Sequence, residues 1–532
     1  WMESKTRLKS TSDLASGAEE PSRFDRQHSA GGIQLPWLPS PAPSPPLSPP
    51  LKAKADPDIG TRPALLVMKF GGSSLAGVEH LRRVAGIVRE RLVQRPVLVL
   101  SAMGKTTNNL LDAAERALAT GKADISKLRA SHEGIFQELG LPVPAQVSDL
   151  LAELERVIFG VALLKEVSAR TRDLIVSFGE RLSVRVFEAC FDLEEVRDGK
   201  PAPSEPRIKA CALDSWDIGM RTTRGAGSAD SAFSQVEVLE SSYTSIAAYL
   251  GRLTLDYSYL PVVTGYIAQD EQGTITTLGR DGSDLTATVI GAAVRASEVQ
   301  IWKDVSGILT TDPRMVPAAR PVDILTYEEA AELSTFGAKV VHPAAVMPAW
   351  LGNVPICVRN SLLPQQPGTR IVASLSEQQA RSSRVAALSS KDHITMIVIR
   401  STRMLGQHGF LAQVFQLFNK FEASVDVIAT SEVTVSLTLD RGYKTVDLDG
   451  LRVELESVAK VDITENMAML TLIAAKRDSS SVLRESFEVF EQLGVNIEMV
   501  SHGASNVNVT FVLPSSSLTR CTQRLHEVFF ER

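Results

Sequence analysis

Apolar and polar positions alternate in blocks along most of this chain. Apolar runs at 65–70, 96–101, 173–177, 261–267, 299–303 and 354–358 have the length of buried strands, and the stretches between them carry the apolar spacing of amphipathic helices. Strand and helix in alternation predict a mostly parallel sheet covered on both faces, an α/β architecture. Ligands of such sheets bind beyond the carboxyl ends of the strands, so the residues that follow each run are the candidates for chemistry. Residues 1–62 lack the pattern and include Pro41-Ala42-Pro43-Ser44-Pro45-Pro46-Leu47-Ser48-Pro49-Pro50, a composition that cannot bury a core. They are expected to form a disordered leader. Its Ser and Arg content suggests an organelle transit peptide, although Glu3, Asp13, Glu19, Glu20 and Asp25 make it more acidic than most.

After Gln365-Gln366-Pro367-Gly368-Thr369 the composition changes and the chain repeats itself. Leu411, Phe415, Leu417, Phe418, Phe421, Val425, Asp426, Val427 and Ile428 correspond to Leu483, Phe487, Val489, Phe490, Leu493, Ile497, Glu498, Met499 and Val500 at a constant offset of 72. Each copy reads as an apolar strand, a loop, an amphipathic helix and two further strands, close to a βαββ unit. The expected domains are therefore 63–376, 385–460 and 461–532, after the 1–62 leader.

Composition narrows the partners. With 532 residues, 44% hydrophobic and 22% charged, the chain can bury a large core; its net charge of −6 argues against nucleic acid or an anionic membrane, which call for a dense basic surface. No apolar run reaches the roughly 18 residues that span a bilayer, so no membrane partner is expected. Cys190, Cys211, Cys357 and Cys521 are far apart, with neither metal-ligand nor disulfide-framework spacing, and are expected to be buried, reduced thiols. No protein metal site is expected.

Chemistry concentrates at the strand exits. Val67-Met68-Lys69-Phe70-Gly71-Gly72-Ser73-Ser74 delivers a lysine and two glycines to the end of the first run. Glycines admit an anion close to backbone N–H groups and the lysine adds charge, so this turn suits phosphate; it is equally readable as a plain strand-to-helix turn with a solvated lysine. Gly104-Lys105-Thr106 imitates a nucleotide-binding loop, but Val99 stands where that loop needs its first glycine. Leu278-Gly279-Arg280-Asp281-Gly282-Ser283-Asp284 can offer Arg280 to a carboxylate and aim Asp284 into a site, or can simply cap a helix. Lys303, Arg314 and Lys339 accompany tight turns suited to nucleotide phosphates, whereas His342 beside Pro343 reads as a packed, hydrogen-bonded histidine.

The order of these motifs resembles the aspartate kinases of the amino acid kinase superfamily. The resemblance covers about 64–532 and rests on Lys69-Phe70-Gly71-Gly72, Ser101-Ala102 with Thr107-Asn108, Phe178-Gly179-Glu180-Arg181-Leu182-Ser183, Gly279-Arg280 with Gly282-Ser283-Asp284, Trp302-Lys303-Asp304, Thr311-Asp312-Pro313-Arg314 and Phe336-Gly337-Ala338-Lys339-Val340. It implies a three-layer, carbamate-kinase-like sheet domain and ATP-dependent phosphorylation of the L-aspartate β-carboxylate, the entry to lysine, threonine and methionine. Lys69 and Asp284 are then catalytic, and Thr107, Glu180, Arg280 and Ser283 bind substrate. Gly71, Gly72, Ser73, Lys303, Asp304, Leu309, Arg314, Lys339 and Val340 are ATP-side positions, with Mg2+ arriving on ATP. Two departures stand out: Asp281 replaces a glycine of the family pattern, and Leu309 stands where a tyrosine often contacts the nucleotide.

The repeated half resembles tandem ACT domains, α+β ferredoxin-like modules that bind free amino acids, although a duplicated packing domain without ligand would show the same repeat. Met404, Gln407, Phe410, Leu411, Asp426, Thr430, Ser431 and Glu432 match the lysine-binding pattern of lysine-sensitive, plant-like members, with Gln407 where bacterial members often have serine. The resemblance implies a monofunctional enzyme inhibited by lysine, a homodimer or homotetramer, located in a plastid or else in the cytoplasm. A glutamate-directed relative would not explain Phe178–Ser183 together with two ACT copies. The alternative from another class is a catalytically weak amino-acid sensor.

Overall fold

The computed structural model describes residues 65–531 apart from 198–207, 225–235, 256–257, 338–340, 377–383, 402–408, 440–445, 475–477 and 504–506. The proposed leader lies outside the described residues, as do Lys339, Val340, Met404 and Gln407.

The first part runs β1 (Leu66–Phe70), α1 (Val78–Arg89), β2 (Pro96–Leu100), α2 (Thr106–Thr120), α3 (Ser126–Leu139), α4 (Ala145–Leu164), α5 (Ala169–Arg197), β3 (Lys209–Leu213), β4 (Arg221–Thr222), α6 (Ser241–Leu253), β5 (Tyr259–Thr264), β6 (Ile267–Asp270), β7 (Ile275–Thr277), α7 (Gly282–Ala293), β8 (Glu298–Lys303), β9 (Ile324–Thr326), α8 (Tyr327–Thr335), α9 (Pro343–Gly352), β10 (Ile356–Asn360) and β11 (Thr369–Val372). Eight strands form one sheet in the order β3-β5-β2-β1-β8-β10-β11-β9, in which only the β10–β11 pairing is antiparallel. Strands β4, β6 and β7 make a small separate sheet.

Alternation along the strands divides the interior. Leu66, Met68 and Phe70 of β1 enter one core with Leu98, Leu100 and the apolar faces of α1 to α5; Val67 enters the other with Val97, Val99, Val299, Ile301 and residues of α6 to α9. These are the two covered faces that the near-continuous apolar strands called for.

One expected strand is a helix. Residues 173–177 lie within α5, whose Ile175, Phe178, Leu182 and Val186 recur at three- and four-residue spacing and are all buried in the first core. A short apolar run has no period that separates a buried strand from a buried helical segment, and packing decides between them. The 261–267 run is also broken, at Gly265-Tyr266, into β5 and β6.

The second part runs β12 (Val385–Arg400), α10 (Phe410–Lys420), β13 (Val425–Thr430), β14 (Thr434–Leu439), α11 (Leu448–Glu456), β15 (Lys460–Ala474), α12 (Ser479–Gln492), β16 (Met499–His502), β17 (Asn508–Pro514) and α13 (Leu518–Phe530). Each repeat has the expected helix and two strands, with a closing helix besides. All strands share one sheet, β13-β14-β12-β15-β17-β16. Strands β12 and β15 pair along their lengths with register shifts between Lys391 and Met396. Either side of that irregularity β12 serves a different copy: Val385 and Leu388 pack in the core of the second, Ile397 and Ile399 in the core of the first. The copies are interlocked rather than strung in series, and Ala387 and Ile473 join the second core of the kinase-like part.

Gly368 (φ +73°) turns the chain into β11, and a Cβ there would stand 2.1 Å from the Val358 carbonyl oxygen of β10. Gly368→Ala combines a left-handed backbone with a clash against backbone, so it should destabilise by about 2 kcal/mol or more. A lower urea midpoint is the expected result; an unchanged midpoint would mean that the turn relaxes without cost.

Candidate active site

Strand parity places two lysines on one face. In β1, Lys69 follows Val67 onto the side of the second core, and in β8, Lys303 follows Val299 and Ile301. Lys69 pairs with Ile301 across the parallel ladder, so Lys303 is one diagonal step away. Helix α7 belongs to this side of the sheet and begins Gly282-Ser283-Asp284. The Asp284 carboxylate is fully buried, with Oδ1 2.6 Å from Lys69 Nζ and Oδ2 3.2 Å from Lys303 Nζ. Burial presses this carboxyl toward its neutral form, but the two ammonium groups outweigh it and hold the group below the usual carboxylate range. Its place in the first turn of α7 favours the same ionised state.

The turn ahead of α7 is tight. A Cβ on Gly282 would come within 2.9 Å of both Leu278 and Tyr266 side chains, and one on Gly265 within 2.6 Å of Ser283. Asp281, where the family pattern has glycine, is exposed and held at φ +53°, a left-handed conformation that costs an L-residue about 1–2 kcal/mol.

The loop after β1 is also fixed. Gly72–Leu75 is a single 3-10 turn and α1 starts only at Val78, so Gly71, Gly72 and Ser73 present a short turn to a ligand rather than a long helix end. A Cβ on Gly72 would meet the Ala102 carbonyl oxygen at 2.5 Å, and Gly104 N–H donates to Gly72 O at 2.9 Å. Ser74 Oγ shares a 2.9 Å hydrogen bond with Ser361 Oγ, which also donates to Lys303 O at 3.1 Å. The exits of β1, β2, β8 and β10 are thus tied together.

On the side of α5, Glu180 is buried. Its Oε1 accepts from Ala102 N–H at 3.2 Å, while Oε2 has no hydrogen-bond partner among the described residues. Burial pushes this carboxyl up to about 8, against the opposing backbone hydrogen bonds. Helix and loop approach closely here, since a Cβ on Gly179 would lie 2.8 Å from Ala102 Cβ. Ser101 Oγ donates to Ser283 Oγ at 3.0 Å, Thr107 is half-buried in the first turn of α2, and Arg280 is exposed ahead of α7.

Other expected positions are less gathered. Asp304 is exposed beyond β8, Leu309 is half-buried and bridges to Pro321, and Arg314 is exposed with its guanidinium on Asp312 at 2.6 Å. His342 caps α9, its Nδ1 accepting from Ala344 N–H at 3.3 Å. In the first repeat Phe410 is half-buried, and Leu411, Thr430, Ser431 and Glu432 are exposed. Asp426 is held by Lys391 of β12, whose Nζ lies 3.3 Å from each carboxylate oxygen. Sequence reasoning missed Lys391 and Ser361 and gave Ser101 no role beyond its place in the Ser101-Ala102 motif; the shared face of Lys69 and Lys303 follows only once β1 and β8 are paired in register. The four cysteines are free, and no group of three or more metal-ligating side chains occurs among the described residues.

Residues 64–360 match the amino acid kinase family and residues 476–529 an ACT domain. The chain is 41% identical to aspartokinase 1, chloroplastic, of Arabidopsis thaliana, over 90% of this chain and 83% of that one. It is 34% identical to lysine-sensitive aspartokinase 3 of Escherichia coli, over 88% of this chain and 99% of that one. Among solved structures it resembles E. coli aspartokinase III in complex with aspartate and ADP (R-state), with a TM-score of 0.69 and 32% identity over 88% of this chain and all of the other. It also resembles that enzyme in complex with lysine and aspartate (T-state), with a TM-score of 0.66, 33% identity and coverage of 88% and 99%.

The raised carboxyl of Glu180 sets a pH dependence. The folded chain keeps a proton there that the unfolded chain releases, so this group's contribution to stability is lost as pH rises from about 4.5 through about 8. Glu180→Gln should therefore leave the thermal midpoint close to the parent's at pH 5 and raise it above the parent's at pH 9. An equal or lower midpoint at pH 9 would mean that the carboxylate finds compensation when ionised.

Proposed function

We infer the function from family membership: the chain belongs to the amino acid kinase family and, within it, to the aspartokinases, and it is an aspartate kinase that uses ATP to form 4-phospho-L-aspartate. The observation that carries the mechanism is the buried Asp284 carboxylate gripping Lys69 and Lys303 at the strand ends. Phosphoryl transfer between two anions needs positive charge around the migrating group and fixed geometry more than it needs a base. An oxygen of the aspartate β-carboxylate attacks the γ-phosphorus, and the bond to the β-phosphate oxygen breaks, releasing ADP. Lys69 lies on the migrating phosphoryl group, Lys303 reaches the nucleotide side, and Asp284 keeps both ammonium groups in place.

Glu180 receives the substrate's α-ammonium, supported by its buried Oε2, which is unpartnered among the described residues, and Arg280 takes the α-carboxylate at the open side of the turn. Thr107 and Ser283 add hydroxyl contacts. Gly71, Gly72 and Ser73 line the phosphates, and Asp304, Leu309, Arg314, Lys339 and Val340 the remainder of the nucleotide. Mg2+ fits as an ion carried by ATP, because Asp284 is already taken by two lysines and the described residues offer no carboxylate cage. Bound there, it supplies further neutralisation of phosphate charge.

Lysine acts as the feedback effector on the first ACT copy, a reading supported by the lysine-sensitive relative and by Asp426 and Glu432, one carboxylate for each ammonium of the ligand. The incoming ammonium competes with Lys391 for Asp426. The chain works as a homodimer or homotetramer, and the chloroplastic relatives support a plastid location.

With ATP, aspartate and hydroxylamine the protein should yield aspartyl hydroxamate; absence of product would leave only an amino-acid sensor. Lys69→Ala should fold and lose about 10²-fold or more in kcat, the scale of losing one preorganised transition-state donor. Near-parental kcat would remove Lys69 from the chemistry.

An ammonium that becomes buried on binding and loses its carboxylate costs about 2–5 kcal/mol, so Asp426→Ala should raise the inhibitory lysine concentration by roughly 30-fold or more at unchanged uninhibited kcat, and Glu432→Ala, at an exposed carboxylate, should raise it in the same direction by less. Parental lysine sensitivity in both variants would refute the effector assignment.

A further inference from the structure

The last helix of the chain reaches into the kinase part through a buried relay of hydrogen bonds. Thr310 follows Leu309 directly, and its hydroxyl lies 2.9 Å from Nε2 of His526 on α13. His526 is fully buried, its Nδ1 is 2.8 Å from Glu531 Oε1, and its ring stacks on Phe530 at 4.8 Å. With the proton on Nδ1, all donors and acceptors match: Arg320 N–H donates to Thr310 Oγ1 at 3.1 Å, the hydroxyl donates to Nε2, and Nδ1–H donates to Glu531.

Two further contacts hold the same segment from the same side. Gln523 Nε2 on α13 donates to Met315 O at 2.9 Å, and Met315 itself packs on the core of the second ACT copy. Leu388 N–H of β12 donates to Thr310 O at 2.7 Å. The segment 309–315, which carries Leu309 and Arg314, is thus fastened to the second ACT copy at both ends. Exposed loops that bind ligands are ordinarily the least ordered part of a site, and ordering them beforehand removes a cost of binding.

We propose that His526 is a positioning residue for the kinase reaction, holding Thr310 against Glu531 so that the 309–315 segment is set for ATP; the proposal rests on the reading of Leu309 and Arg314 as nucleotide-side residues. The relay acts on the nucleotide and not on the amino acid, because among the described residues its hydrogen bonds run to neither Glu180 nor the α7 turn. It makes the second ACT copy a structural part of the ATP side.

The test is steady-state kinetics of the full chain carrying Thr310→Val, Thr310→Ser and His526→Gln, with Arg314→Ala beside them. Leaving a buried ring nitrogen without its hydrogen-bond partner should raise KM for ATP about tenfold in Thr310→Val. His526→Gln should behave in the same direction, KM for aspartate should change less than twofold, and Thr310→Ser should restore the parental KM for ATP. Loss of thermal stability with both KM values unchanged, or equal rises in both, would overturn the proposal. Arg314→Ala separates the two readings. If it raises KM for ATP while the relay variants do not, the relay alone is wrong; if none of them does, the nucleotide assignment of this segment fails as well.

Discussion

The Asp284 carboxylate is the constraint on which the site depends, because it lets two ammonium groups stay side by side in a nearly closed interior. Like charges about 4 Å apart repel by about 4 kcal/mol even at an effective dielectric near 20, and a shared counter-ion converts that repulsion into a fixed geometry. The geometry requires three chain segments to arrive together: β1 for Lys69, β8 for Lys303 and the first turn of α7 for Asp284. The turns around it are tight: a Cβ on Gly72 would run into the Ala102 carbonyl oxygen, one on Gly265 into Ser283 and one on Gly282 into Leu278 and Tyr266. An anion reaching these two ammonium groups would meet charge that is already oriented.

Glu180, buried on α5 against Ala102, shows the opposite balance. Glu180 is buried with one oxygen unpartnered among the described residues, and burial holds its carboxyl near 8 rather than in the usual carboxylate range. A cationic group placed against it restores the ionised state, so the binding of an ammonium is linked to release of a proton. One carboxylate is kept ionised by two lysines of its own chain and the other is held toward its neutral form by burial; environment alone separates the two.

The regulatory half is built into the kinase half. Strand β12 contributes to both ACT cores, and its first residues touch the kinase part directly: Leu388 N–H donates to Thr310 O, and Ser389 Oγ donates to Phe336 O at 2.8 Å. Asn508 Nδ2 donates to Glu332 Oε2 at 2.5 Å on α8. The same strand carries Lys391, which holds Asp426. A change at Asp426 and a change around Thr310 are therefore separated by a few residues of one strand, which gives an effector a physical element to bias.

By itself the sequence determined the layered α/β plan, the glycines at the strand exits and the repeat at an offset of 72, because each is written in local spacing. It could not determine that residues 173–177 are helical, because a five-residue apolar run has no period long enough to distinguish the two states. Nor could it reveal the meeting of Lys69 and Lys303 with Asp284, the interlocking of the ACT copies through β12, or the Lys391–Asp426 and Thr310–His526 contacts. The last of these joins residues 216 positions apart. Such pairings arise from how strands order themselves in a sheet and helices settle on it, and no local periodicity encodes which distant neighbour a side chain will meet.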